Sequence, residues 1–106
     1  MNKYEYESLQ SRYDSLYKDV FQTLVNLIEE NESDGIIELP KSTRVLGANG
    51  FVRINTIELN YDTQNNPYIS IWGQNPFEIT FEDAGSLRLS DIICIIKIVE
   101  NIRYYR

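Results

Sequence analysis

Residues 2–31 carry a helical period throughout, but the apolar face they make changes width partway along. Tyr6, Leu9, Tyr13, Leu16 and Val20 recur at spacings of 3, 4, 3 and 4, which is a narrow coiled-coil-like seam. From Tyr17 onward Phe21, Leu24, Val25, Leu27 and Ile28 join it, and the face becomes broad enough to cover a sheet. The flank beside the early seam is polar instead, with Glu7, Gln10 and Asp14. A compact domain of 106 residues is about 34 Å across, and a helix of about 28 residues is roughly 42 Å long. The second half of this helix is therefore expected in the core. The first half is expected to overhang it and meet another helix.

Local signals frame that helix. Asn2 followed by Glu5 has the form of a capping box. Gly35 is the stop signal, and Glu29, Glu30, Glu32 and Asp34 oppose the helix dipole, which predicts a frayed end.

Residues 36–82 read as β-rich. Ile36–Leu39 is a short strand closed by Pro40, and Thr43–Ala48 is a second candidate. Asn49-Gly50 predicts a type I′ hairpin turn. Phe51–Tyr61 is the next strand, and its alternation slips: Val52 and Ile54 share one parity, Ile57, Leu59 and Tyr61 the other. A bulge near Asn55-Thr56 restores one continuous core face. Tyr68–Trp72 follows a loop, and Phe77, Ile79 and Phe81 then alternate with Glu78, Thr80 and Glu82. The last element, Ser90–Tyr105, reads as a helix with Ser90 at its N-cap, Asp91 in its first turn and Leu89 stapled to Cys94, against a competing reading as a central strand from the β-branched run Ile-Ile-Cys-Ile-Ile-Lys-Ile-Val. Its polar sector is confined to Lys97, Glu100 and Asn101, so it is expected to be mostly buried, wedged between the sheet and the first helix. The fold class is α+β in a single domain, residues 1–106. It comprises a long N-terminal amphipathic helix, an antiparallel β-meander of about four strands and a C-terminal, mostly buried helix.

Composition narrows the chemistry. There is no histidine, which removes the commonest general base and zinc ligand. The one cysteine, Cys94, sits in Ile-Ile-Cys-Ile-Ile and is expected to be a buried hydrophobe. Glu78, Glu82 and Glu58 are carboxylates on a sheet too small to frame a substrate cleft. Glu30, Glu32, Asp34 and Gly35 follow the first half of a calcium loop, but Lys41 stands where the bidentate Glu belongs and Pro40 blocks the exiting helix. No enzymatic activity, cofactor or metal is expected. A net charge of −6 disfavours nucleic acid, and no apolar run predicts a membrane span or a leader, so the expected compartment is cytoplasmic.

The aromatic residues carry the functional expectation. Eight tyrosines are many for this length. The seam residues Tyr6, Leu9, Tyr13 and Leu16 point to a protein-interaction module, as a homo-oligomer or with a protein partner. Tyr104 and Tyr105 of the last helix compete with a second copy for that seam. If Ile69 and Ile71 face the core, Tyr68 and Trp72 share the outer sheet face, where an exposed aromatic pair suits a partner, a small ligand or a glycan; the competing and favoured expectation is that Trp72, near a strand end, folds over the core edge. The acidic run Glu29, Glu30, Glu32, Asp34 and Glu38 supports a third reading, an immunity-type or nucleic-acid-mimicking inhibitor of a basic protein.

Overall fold

The computed structural model describes residues 2–30, 34–41, 43–85 and 87–104, with the side chains of Tyr6, Arg103 and Tyr104 outside that description. The order is α1 (Lys3–Glu29), β1 (Ile36–Glu38), β2 (Arg44–Gly47), β3 (Gly50–Tyr61), β4 (Pro67–Gly73), β5 (Phe77–Thr80) and α2 (Leu89–Tyr104). All strand pairs are antiparallel, and β3, β4 and β5 are sequential neighbours. β1 and β2 both pair with β3. They act as one interrupted strand: the ladder continues through Leu39 N–H to Asn55 O at 2.8 Å, breaks at Pro40, and resumes where Ile54 N–H donates to Thr43 O at 3.0 Å.

The expected bulge is present. Ile54 pairs with Gly73 and Thr56 with Trp72, so Asn55 is the extra residue on β3. It switches the inward parity, which is why Ile54 and Ile57 are both buried. The bulge lies level with the break between β1 and β2, so β3 bends there, and Gly50–Arg53 leave the sheet with β2 as a hairpin arm. The bend brings the arm to α2, where the Arg88 guanidinium donates to Leu46 O at 2.9 Å. Bulge and backbone crowd together at Gly73, where a β-carbon would lie 2.1 Å from Arg53 O and 2.8 Å from the Ile54 Cα.

The inner sheet face contributes Ile37, Val45, Ile54, Ile57, Ile69, Ile71 and Ile79 to one core. Tyr17, Phe21, Leu24, Val25 and Ile28 of α1 cover it, together with Ile92, Ile95, Ile96 and Val99 of α2. α1 opens on Asn2, whose side chain accepts Glu5 N–H at 2.8 Å. It ends with no cation in its last turn. Asp34 and Gly35 then take left-handed backbone, φ 50 and 78, to reverse the chain.

Three local expectations are corrected. The hairpin closes on Gly47 and Gly50, so its turn residues are Ala48 and Asn49, and positive φ falls on Gly50 alone. It is therefore not a type I′ turn at Asn49-Gly50. The cap of α2 is Arg88, not Ser90. Arg88 N–H donates to the Asp91 carboxylate at 2.8 Å, the backward half of a capping box. That carboxylate is buried beside the same arginine's Nε at 3.7 Å, which ties the helix start to β2 and moves it two residues earlier than Ser90 would. The Leu89–Cys94 staple goes with it: Leu87 and Ile92 occupy the staple positions, and both are buried. Cys94, finally, is exposed. α2 is apolar nearly all round, and the side it turns inward is Ile92, Ile95, Ile96 and Val99, leaving Ile93 and Cys94 outside. The helix is thus covered on one face rather than wedged between layers.

Gly73→Ala is expected to cost about 2–4 kcal/mol in urea unfolding, because the clash is with backbone. Gly50→Ala meets no atom within 4 Å, but its φ of 117 strains an L side chain, so it should also destabilise, through the backbone rather than through a clash.

Candidate functional site: two exposed aromatic surfaces

α1 crosses the sheet obliquely. Near its C-terminus the Tyr61 hydroxyl of β3 donates to Glu29. A few turns earlier the Phe21 and Phe81 ring centroids are 4.9 Å apart, and the Tyr17 hydroxyl donates to Thr80 O on the edge strand β5. Residues before Tyr17 therefore project past that edge. A long axis of 49 Å against 32 and 27 Å agrees with such an overhang.

Of the predicted seam residues, Leu9, Tyr13 and Leu16 are 47%, 48% and 50% exposed. Tyr6 lies on the same helix, but its side chain is outside the described residues, as are those of Tyr104 and Tyr105. Tyr13 remains half exposed, so the described part of α2 does not cover it. Further along the stripe, Val20 is half-buried and Thr23 exposed. An accessible apolar stripe of this kind is the raw material of a helix–helix interface.

The edge of β5 beneath the overhang is not open for strand addition at Thr80. Its N–H donates to Asp83 O at 2.9 Å, and its carbonyl takes the Tyr17 hydroxyl. Burial, followed by the nearby Asp83 and Tyr13, pushes the Tyr17 phenol up to about 12.

The second surface is the outer sheet face. Ile69 and Ile71 point inward; Tyr68, Ser70 and Trp72 have the opposite parity, with Ser70 buried between the two aromatic residues. Trp72 is 46% exposed and does not fold over the core edge; Tyr68 is half-buried. Register places Glu58, Ser70 and Glu78 in one cross-strand row and Asn60, Tyr68 and Thr80 in the next. Asn60 Nδ2 donates to Ser70 Oγ at 3.1 Å, fixing the centre of this face. An open recess of about 360 Å³ lies between Trp72, Pro76, Phe77 and Glu78. An indole face beside a carboxylate accepts an apolar ring face together with a cation or hydroxyl.

A third exposed patch has no counterpart in the sequence expectations. Leu46 and Phe51 are paired across the hairpin arm, Phe51 is 66% exposed, and the Arg44 guanidinium lies 5.0 Å from its ring centroid. Phe51 has the opposite parity to Val52 and Ile54, so the alternation already marked it as outward-facing.

Among the described residues no group of three or more His, Cys, Asp or Glu could hold a metal ion, and no helix is long and apolar enough to cross a membrane. Glu32 of the acidic run lies outside the described residues, whereas Glu29 accepts the Tyr61 hydroxyl. In comparisons with known proteins, the chain matches no family model, no curated protein and no solved structure.

Two measurements check these surfaces. The Tyr17 phenol is higher in the folded chain than its ordinary 10.0, so its stabilising contribution is complete below pH 10 and lost as pH rises towards 12. The melting temperature should fall across that window, and Tyr17→Phe should flatten the fall. Trp72 is the one tryptophan, so intrinsic fluorescence reads the outer face directly. Its emission should be quenched readily by acrylamide; a blue, quencher-resistant emission would contradict the exposed placement.

Proposed function

We propose that this protein is a non-enzymatic interaction module that self-associates through the overhanging half of α1. The observation that carries the reading is the half-exposed row Leu9, Tyr13 and Leu16, on a helix segment that extends beyond the sheet it serves. A stripe that spends three large apolar side chains on solvent stabilises nothing in the isolated chain. Against a second helix the same side chains bury area with few rotamers lost. The polar flank of Glu7, Gln10 and Asp14 keeps this segment from collapsing onto a core of its own.

Sedimentation or light scattering at roughly 100 µM, where a micromolar dimer is nearly saturated, tests it. The expected result is a dimer mass that Leu9→Asp reduces to the monomer while circular dichroism stays unchanged. A strict monomer in both forms would overturn the reading.

A second reading is supported by the outer face: Trp72 and Glu78 around an open recess suit a small cationic or hydroxylated ligand such as a glycan. A blue shift of Trp72 emission across a ligand panel is the expected sign, and Trp72→Ala should abolish binding.

A further inference from the structure

If α1 pairs with a second copy, its charges decide how. The heptad that places Leu9 and Leu16 at d and Tyr13 and Val20 at a puts Glu5, Arg12 and Asp19 on one flank of the seam, and Lys3, Gln10 and Tyr17 on the other. Arg12 and Asp19 are exposed, and the ion pair Arg88–Asp91 is the one salt bridge seen among the described residues. Neither flank charge is thus matched by an opposite charge within its own chain.

In a parallel pair, flanks meet as Glu5 with Gln10 and Arg12 with Tyr17, and Tyr17 is already buried in its own core. No opposite charges meet. Besides one that opposes Tyr13 with Thr23 and sets Asp19 against the partner's Asp19, three antiparallel registers, each one heptad apart, keep a against d. One sets Arg12 against the partner's Arg12 and Glu5 against the partner's Asp19, which repel. Another pairs Glu5 with the partner's Arg12 but opposes Tyr13 with the polar Asn2. The third stacks Leu9 on the partner's Val20 and Tyr13 on the partner's Leu16, twice each by symmetry. It also sets Arg12 against the partner's Asp19 on both sides. Thr23, the next seam position, is exposed, so the stripe this register needs stays accessible to solvent beyond Val20.

We infer that the occupant of the α1 seam is a second copy of this chain, antiparallel, in the register that pairs Arg12 with the partner's Asp19. The inference rests on the self-association reading and specifies its geometry. Both sheets then lie at opposite ends of a two-helix bridge. With eight seam side chains meeting, the contact is small, and a micromolar dissociation constant is expected.

Charge exchange tests the register in the full chain. Arg12→Asp and Asp19→Arg each convert two attractions into repulsions and should weaken the dimer about tenfold. The double variant R12D/D19R restores both pairs and should return to within about threefold of the parent. Spin labels give an independent readout. With Cys94→Ser removing the native thiol, a label at Glu5→Cys should lie roughly 30 Å from its symmetry mate in this register, and under about 20 Å in a parallel pair. A double variant as weak as the single ones, or closely spaced labels, overturns the register while leaving self-association standing. A monomeric parent chain overturns both.

Discussion

One face of the sheet must be covered, and only the second half of α1 is wide enough to help α2 do it. Tyr17 marks the limit. Before it the helix presents a narrow stripe; from it onward Phe21, Leu24, Val25 and Ile28 are buried with Ile57, Ile69 and Ile79. Burying such side chains contributes about 1.5–3 kcal/mol each, far more than the single hydrogen bond from Tyr17 to Thr80. The bond does a different job. It fixes where on the edge strand the helix crosses, and so fixes how much of it overhangs.

The bulge at Asn55 is the second requirement. Without it, Ile54 and Ile57 would point to opposite faces, and one would be stranded in solvent. With it, both face inward, and the bend directs the β2–β3 arm towards α2. Arg88 and Asp91 complete the connection by joining the helix cap, a buried carboxylate and a β2 carbonyl in one cluster. The outer face plays no part in this packing, and Trp72 and Glu78 line the open recess there.

Much of this was readable from residue spacing. The change in face width along α1, the parity slip in β3 and the outward parity of Trp72 are all periodic signals, and periodicity survives in one dimension. The turn and cap details were not readable in the same way. Asn49-Gly50 satisfies the composition of a type I′ turn, yet pairing of Gly47 with Gly50 displaces the turn by one residue. Ser90 is a good cap by type, but the buried Asp91 gains the Arg88 guanidinium and a backbone donor when the helix starts earlier. Phe51 was legible as outward-facing, but its contact with Arg44 depends on strand register.

The sequence by itself determined the elements, the α+β class and the division of α1 into a core half and an apolar seam, because each depends on side-chain period alone. Only the tertiary structure decided which side of α2 faces inward. Ile-Ile-Cys-Ile-Ile offers apolar groups in nearly every direction, so the period selects no face. Contacts with β2 and α1 made the choice, and they left Cys94 in solvent. The length of the overhang was likewise set in three dimensions, by where Tyr17 meets Thr80 on the edge strand.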